Sequence, residues 1–270
     1  MSDSKMLTEK TLIQIEQLNL YSEFLEREVQ FDLYLPNNRD HSIQYSLLLI
    51  NDGQDLPIMP FDKILTELQD QISDLIAVGI YCGADRKMEY GTAYAADFEG
   101  RGARAGLYNK FIFDELLPFL RKHLGITSFK DKSFAGFSLG GLSAFDIVWN
   151  HPNQFNKVGI FSGSLWWRRK AYDEGYDDEM DRLMHLQVRK ADFYPWIKFF
   201  LQCGGLDETA DRNQNGIIDS IDDTLDLIVE LKAKGYTDEH LHYYLMPEGK
   251  HDVPTWGEAF PEFLNWAYGR

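Results

Sequence analysis

The sequence predicts an α/β protein built on one mainly parallel sheet with helices on both faces. Three observations carry this reading. Short, continuous apolar runs recur along the chain. Segments with helical periodicity alternate with them. One run passes through a Gly-rich turn, GFSLG, directly into a helical segment. Nothing resembling a linker, an internal repeat or a low-complexity stretch interrupts the 270 residues, so 1–270 is read as a single domain.

TLIQIEQLNL (11–20) and REVQFDLYL (27–35) alternate apolar and polar residues, as half-buried antiparallel edge strands do. YSLLLIND (45–52), LIAVGIYC (75–82), KSFAGFS (132–138), KVGIFSG (157–163) and IKFFLQCG (197–204) are apolar throughout, which suits strands covered on both faces. FDKILTELQDQI (61–72) reads as a helix. So does 109–125, where Phe113, Leu116, Leu117, Leu120 and Leu124 recur at three- and four-residue steps and Pro118 threatens a kink. LGGLSAFDIVWN (139–150) starts a helix straight after a strand, and DDTLDLIVELKAKG (222–235) has an acidic start and a Gly stop. HLHYYLMPEG (240–249) is a last strand and 253–269 a closing helix. Residues 165–196 break the alternation with aromatic and charged material, and read as a short cap or lid insertion over the sheet edge.

Composition narrows the function. The formal net charge of −16 repels phosphate backbones and anionic membranes, arguing against nucleic-acid or membrane partners. No window approaches 18 apolar residues, and MSDSKMLTEK lacks the basic and apolar regions of a secretory signal. Cys82 and Cys203 follow apolar runs and show no metal-ligand spacing, as buried free thiols would. Together these features predict a cytoplasmic protein.

The chemistry gathers at G-x-S-x-G, residues 136–140. A serine on a strand-to-helix turn projects its hydroxyl above the sheet edge, with a helix N-terminus behind it to favour developing negative charge. Small neighbours are required by the tight turn. Ser138 is therefore the candidate nucleophile. It needs a base, and the base an orienting acid. Where a nucleophile sits on such a turn the chain order is Ser, acid, His. Of seven histidines, His41 and His123 precede Ser138. His151 ends the following helix, His185 lies in the insertion, and His240 and His242 belong to the last strand region. His251, in the loop EGKHDVPTW beyond that strand, opens at the same sheet edge and is the candidate base. The acid should follow IKFFLQCG, where Asp207 and Glu208 compete.

At this point the chain resembles the esterase branch of the α/β hydrolases, which includes esterase D, feruloyl esterases, siderophore trilactone esterases and mycolyltransferases. AGFSLGGLSAF, QCGGLDE, EGKHDVPTW and the helix FIFDELLPFL carry the resemblance, which covers about residues 25–270. It implies the α/β-hydrolase fold and, through the family's C-G-x-x-D stretch, Asp207 rather than Glu208 as the acid. It implies an oxyanion hole of backbone N–H groups from Leu139 and, in the loop NDGQD, from Gln54. Many relatives have H-G where this chain has Asp52-Gly53. It also places the substrate near Trp166 and Trp167, with Arg101 and Arg104 available to an anionic group. Arg86 and Glu89 are expected to pair with each other.

A second resemblance lies at 211–222, DRNQNGIIDSID. Asp211, Asn213, Asn215, Asp219 and Asp222 fall where the calcium loops of EF-hands and dockerins place oxygen ligands, with Gly216 at the sharp turn and the Ile217 carbonyl as a further ligand. Position twelve is Asp rather than the bidentate Glu. The expectation is a structural calcium ion pinning the loop that carries Asp207.

The combined expectation is serine-dependent hydrolysis of a small-molecule ester through an acyl-enzyme, with no cofactor for the chemistry. An acyltransferase or a thioesterase would use the same triad; a calcium-responsive binding module would not need it.

Overall fold

The computed structural model describes residues 13–37, 39–40, 42–72 and 74–269. The first ten residues, and residues 11–12 of the expected first strand, lie outside them. In chain order the elements are β1 (Gln14–Ser22), β2 (Arg27–Leu35), β3 (Ser46–Asn51), α1 (Phe61–Leu68), β4 (Leu75–Ile80), α2 (Arg86–Glu89), α3 (Ala105–Lys110) and α4 (Leu117–Leu124). Then follow β5 (Lys132–Phe137), α5 (Leu139–Asn150), β6 (Lys157–Phe161), α6 (Asp178–Asp181), α7 (Leu183–Lys190), β7 (Lys198–Leu206), α8 (Asp219–Lys234), β8 (Leu241–Lys250) and α9 (Val253–Tyr268).

The strands form one eight-stranded sheet in the order β1-β2-β4-β3-β5-β6-β7-β8. β1 pairs antiparallel with β2, and β2 with β4; from β4 to β8 every pairing is parallel. The apolar runs read as doubly covered strands are so. In β3, Leu47 and Leu49 face one core and Leu48 and Ile50 the other. In β4, Ile76 and Val78 oppose Leu75 and Ala77 in the same way. One core packs α3, α4, α5, α7 and α8 residues on the sheet, among them Tyr108, Leu120, Ile147, Val188 and Leu227. The other uses α1 and α9, through Leu65, Phe260 and Phe263.

Several boundaries differ from expectation, and α1 ends at Leu68 rather than at residue 72. α8 begins at Asp219, three residues early, because the Asp219 amide is satisfied outside the helix by the Ala210 carbonyl at 2.8 Å. Residues 105–124 are continuously helical, but Phe111–Leu116 is a widened, π-helical stretch. Pro118 lies in the first turn of α4, directly after it, where a missing N–H costs least. The helix accommodates its proline by widening rather than by stopping.

The parallel arrangement brings the C-terminal ends of β3, β5, β6, β7 and β8 to one sheet edge, where an open α/β sheet assembles its site.

Candidate active site

Ser138 follows β5 with φ 53° and ψ −122°, a left-handed conformation that an L residue holds only when its surroundings impose it. They do. Its amide donates to the Phe161 carbonyl of β6 at 2.9 Å, and its carbonyl accepts from Gly141, Leu142 and Ser164. The small neighbours are obligatory. A Cβ on Gly136 would stand 2.3 Å from the Gly140 oxygen, and one on Gly140 would stand 2.5 Å from Asp52 Oδ2. The hydroxyl is half-buried, 3.4 Å from Ser164 Oγ.

Asp207 stands just past β7. Its Oδ1 accepts from the Ser162 hydroxyl at 3.0 Å and its Oδ2 from the Gly204 amide at 3.1 Å. Burial raises its pKa, while those two donors and His251 oppose the rise. His251 is set between β8 and α9, whose first turn is capped by Asp252 accepting from the Thr255 amide at 3.0 Å. Its ring meets Trp256 edge-on at 5.3 Å. Burial of the imidazole lowers its pKa, Asp207 and Asp252 raise it, and Arg86 lowers it further. The net direction is downward, towards a neutral base at neutral pH. A cavity of about 220 Å³ is walled by Ser162, Gly163, Trp166, Asp207, Glu208, Ser220 and His251. Acid, base and aromatic wall thus share one space. Ser138 is not among its walls; its hydroxyl meets Ser164, which follows the wall residue Gly163 in the chain. In this conformation the imidazole is hydrogen-bonded to neither Ser138 nor Asp207; such contacts commonly tighten only with substrate bound. Glu208 lines the same cavity, but the groups acting on it are Ser220 and the acids Asp219, Asp223 and Asp207.

Leu139 is the first residue of α5, and Gln54 the second of the helical turn Gly53–Asp55 that follows β3. Amides at helix starts lack an intrahelical acceptor, so both are available to an oxyanion. β3 and β5 are neighbours, which puts the two turns side by side.

Several expectations are corrected. Arg86 does not pair with Glu89. Its Nε and Nη2 each donate to Asp52 at 2.7 Å, one to each carboxylate oxygen, and Glu89 is taken by Arg27 at 2.9 and 2.6 Å. The short α2 turns the two side chains to different partners. The Asp52 carboxylate therefore lies between the nucleophile turn and an arginine. Trp167 is not a substrate wall: it is fully buried, packed against Gly91 and Gly102. Trp166 alone of the pair is half-buried and reaches the cavity. Arg101 is held by Asp97, through Nε at 2.6 Å, and by Glu99, and lies over the Trp166 ring at 5.1 Å. Its charge is already matched, so it buttresses Trp166. Arg104 donates to the Leu25 carbonyl at 2.8 Å.

At 211–222, Asp211 accepts from the amides of Asn215 and Gly216, while Asn213 and Asn215 both donate to Asp222 Oδ2, at 2.9 and 2.7 Å. Ile217 donates to Asn215 Oδ1 and Gly216 has φ 86°, as the turn expected there requires. Asp219 faces the other way, accepting the Arg212 amide at 2.8 Å and pairing with its guanidinium at 3.3 Å. Arg212 also meets Asp178 and Asp223, and buried Arg182 meets Asp223 and Asp226. Among the described residues no three His, Cys, Asp or Glu side chains are grouped as a metal site would group them. Four of the six expected ligands converge and Asp219 does not.

Sequence reasoning missed Asn51, Ser162, Ser164 and Trp256. Asn51 donates to the Gly140 carbonyl at 2.8 Å and accepts from the Tyr108 hydroxyl at 2.6 Å, bracing the nucleophile turn from β3. These are contacts between distant segments, and no local pattern marks them.

A strained serine at a strand-to-helix turn, with an acid and a histidine at the ends of later parallel strands, defines an α/β hydrolase. The comparisons agree. Residues 22–267 match the family model Esterase, described as "Putative esterase". The "Uncharacterized protein YbbA" of Bacillus subtilis (strain 168) is 24% identical over 248 residues, 89% of this chain and 93% of that protein. A ferulic acid esterase superposes with a TM-score of 0.72 at 16% identity, over 96% of this chain and 98% of that one. The enterobactin esterase FES from Shigella flexneri gives 0.71 at 19% identity, over 93% of this chain but only 58% of that one. An IroE-like serine hydrolase from Shewanella oneidensis gives 0.64 at 21% identity, over 90% of this chain and 77% of that one. The chain belongs to the Esterase family and is a carboxylic ester hydrolase. No helix among the described residues is long and apolar enough to cross a membrane.

Proposed function

We propose that the chain hydrolyses a small-molecule ester through a Ser138–His251–Asp207 triad and an acyl-enzyme intermediate. The observation that carries this is the left-handed Ser138 turn at the sheet edge where one cavity joins Asp207 to His251. Ser138 Oγ attacks the acyl carbon as His251 takes its proton. The resulting oxyanion is met by the Leu139 and Gln54 amides, each such donor worth roughly 3–4 kcal/mol of barrier. His251 returns the proton to the leaving alkoxide as the C–O bond breaks. Water then attacks the acyl carbon, His251 again taking the proton, and His251 returns it to Ser138 Oγ as the acyl–oxygen bond breaks and the acid leaves. Asp207 holds the imidazole in the useful tautomer and stabilises its cationic form. Trp166 forms an apolar wall for one arm of the ester in the cavity of about 220 Å³ beside the acid and base.

A fluorophosphonate probe tests the mechanism. It should label the parent at Ser138 and leave Ser138→Ala unlabelled, with hydrolysis of a p-nitrophenyl ester lost and the melting profile unchanged. Labelling elsewhere, or activity within tenfold of the parent in Ser138→Ala, would overturn the assignment.

Calcium at 211–222 belongs to the same proposal. Asp211, Asn213, Asn215 and Asp222 would hold the ion, with the Ile217 carbonyl, and Asp219 would join by leaving Arg212. The convergence of the first four residues supports it. Its contribution would be structural. A thermal melt in chelator against millimolar calcium, for the parent and an Asp211→Ala, Asp219→Ala variant, checks it; no calcium-dependent shift in the parent ends the idea. A cytoplasmic location is proposed on the two free cysteines, which need no oxidising compartment.

A further inference from the structure

Building on the triad reading, we propose that Ser162 is a positioning residue for the catalytic acid: Trp256 aims its hydroxyl and that hydroxyl fixes Asp207 against His251. Ser162 follows β6 and is 2% exposed. Its φ of 46° makes it the second serine at this sheet edge held in the left-handed region. Its amide is anchored to the Gln202 carbonyl of β7 at 2.9 Å.

The direction of its hydrogen bonds follows from donor chemistry. The indole N–H of Trp256 approaches Ser162 Oγ at 3.0 Å, and an indole nitrogen can only donate. Ser162 must therefore accept there, and its own proton must go elsewhere. Two acceptors are in reach, Asp207 Oδ1 at 3.0 Å and Gln202 Oε1 at 3.5 Å. The nearer one carries the charge, and a charge-assisted bond is the stronger. A directed chain results, from Trp256 to Ser162 to Asp207.

The chain reaches the base from both ends. Trp256 stacks on Phe137, the residue before the nucleophile, at 5.1 Å, and presents its ring edge-on to His251. Asp207 has its Oδ2 occupied by the Gly204 amide. With one donor from the β6 end and one from the β7 end, the carboxylate plane is set where Asp207 walls the cavity that His251 shares. A serine that merely closed a tight turn would need neither the indole donor nor the acid.

Ser162→Gly separates the two roles, because glycine accepts the left-handed backbone without strain while removing the hydroxyl together with its methylene, whereas Ser162→Ala removes the hydroxyl alone. The expected kcat is about tenfold to hundredfold below the parent, the equivalent of one lost hydrogen bond to a charged group, with KM within twofold. Ser162→Ala should lose at least as much. Asp207 without the hydroxyl becomes more basic and holds protonated His251 more strongly, so the acid limb of kcat/KM should move to higher pH. The other charges facing His251, from Asp252, Arg86 and Glu208, are unchanged in this variant. In an Asp207→Asn background Ser162→Gly should change kcat less than twofold. A Ser162→Gly enzyme with kcat within twofold of the parent and an unmoved acid limb, beside an Asp207→Asn enzyme that has collapsed, overturns this inference and leaves the triad standing. An Asp207→Asn enzyme that keeps parental activity overturns both.

Discussion

Replacing Arg86 by methionine tests the ion pair under the nucleophile turn. The Asp52 side chain is 2% exposed and that of Arg86 30%. The substitution removes two donors at 2.7 Å, leaving Gln54 Nε2 at 3.4 Å and the Cys82 thiol as side-chain donors to the carboxylate. Stripping one partner from a fully buried pair costs about 3–5 kcal/mol, and water reaching the space left by a partly exposed arginine puts this case near ~3 kcal/mol. At about 2–4 °C per kcal/mol for a chain of this size, the melting temperature should fall by roughly 6–12 °C. The damage should extend to activity. Asp52 Oδ2 stands 2.5 Å from where a Gly140 Cβ would be, and Arg86 Nη2 meets the Phe137 carbonyl at 3.5 Å. Differential scanning calorimetry and p-nitrophenyl acetate hydrolysis read the two effects. In a double-mutant cycle, Asp52→Asn should recover at least ~1.5 kcal/mol of the Arg86→Met loss, because the orphaned charge is the main cost. A melt within 2 °C of the parent for Arg86→Met, or strict additivity in the cycle, would refute the reasoning.

Burial holds the His251 pKa below its usual 6.5, and the base must be neutral to act. A pH profile of kcat/KM should therefore fall on the acid side with a midpoint under the unperturbed value; a midpoint above it contradicts the assignment. Gly140→Ala drives a methyl group to 2.5 Å from Asp52 Oδ2 and 3.0 Å from Asn51 Cβ. It should cost about 1–3 kcal/mol by urea titration and most of the activity, and an alanine variant of parental kcat would count against the tight turn. The two neighbouring tryptophans should part company. Trp167→Ala should destabilise the fold by about 3–5 kcal/mol, whereas Trp166→Ala should leave the melt nearly unmoved and raise KM; the opposite pattern would return the substrate wall to Trp167.

The sheet was almost entirely legible. A strand covered on both faces must be apolar at every position, so runs such as SLLLIN and LIAVGI admit little else, and the observed β3 and β4 fall within a residue or two of the expected limits. Ser138 and His251 stood out as candidates because each follows a strand end within a short motif, whereas the residues left Asp207 and Glu208 level and only the resemblance chose between them. Arg86 was misassigned for the opposite reason. Glu89 is the local option, while Asp52 lies 34 residues back and comes near only because β3 and β4 are neighbours. Ser162 sits in FSGS, where nothing local tells a turn serine from one that holds an acid. Trp166 and Trp167 are adjacent, and which of them enters the core depends on Gly91 and Gly102, whose lack of side chains makes room for one ring. At 211–222 the side-chain spacing was readable but the facing of Asp219 was not, since its partner Arg212 is a neighbour that no calcium-loop pattern includes.

The widened stretch at Phe111–Leu116 has a bearing on how this helix can change. Tyr108, Ile112, Leu116, Leu120 and Leu124 are all buried, and each is four residues from the next. Along an ordinary α-helix, at about 100° per residue, such a series would creep about 40° per step and swing well round the axis over four steps. A turn holding extra chain takes back much of that creep and keeps all five on the sheet. The stretch is thus a phase correction, and it stores about one residue more than a regular turn needs. Shortening the chain by one at exposed Asp114 should draw the turn into ordinary α geometry with both flanking halves still facing inward. The same deletion within α5, which has no such slack, would rotate everything beyond it off the core.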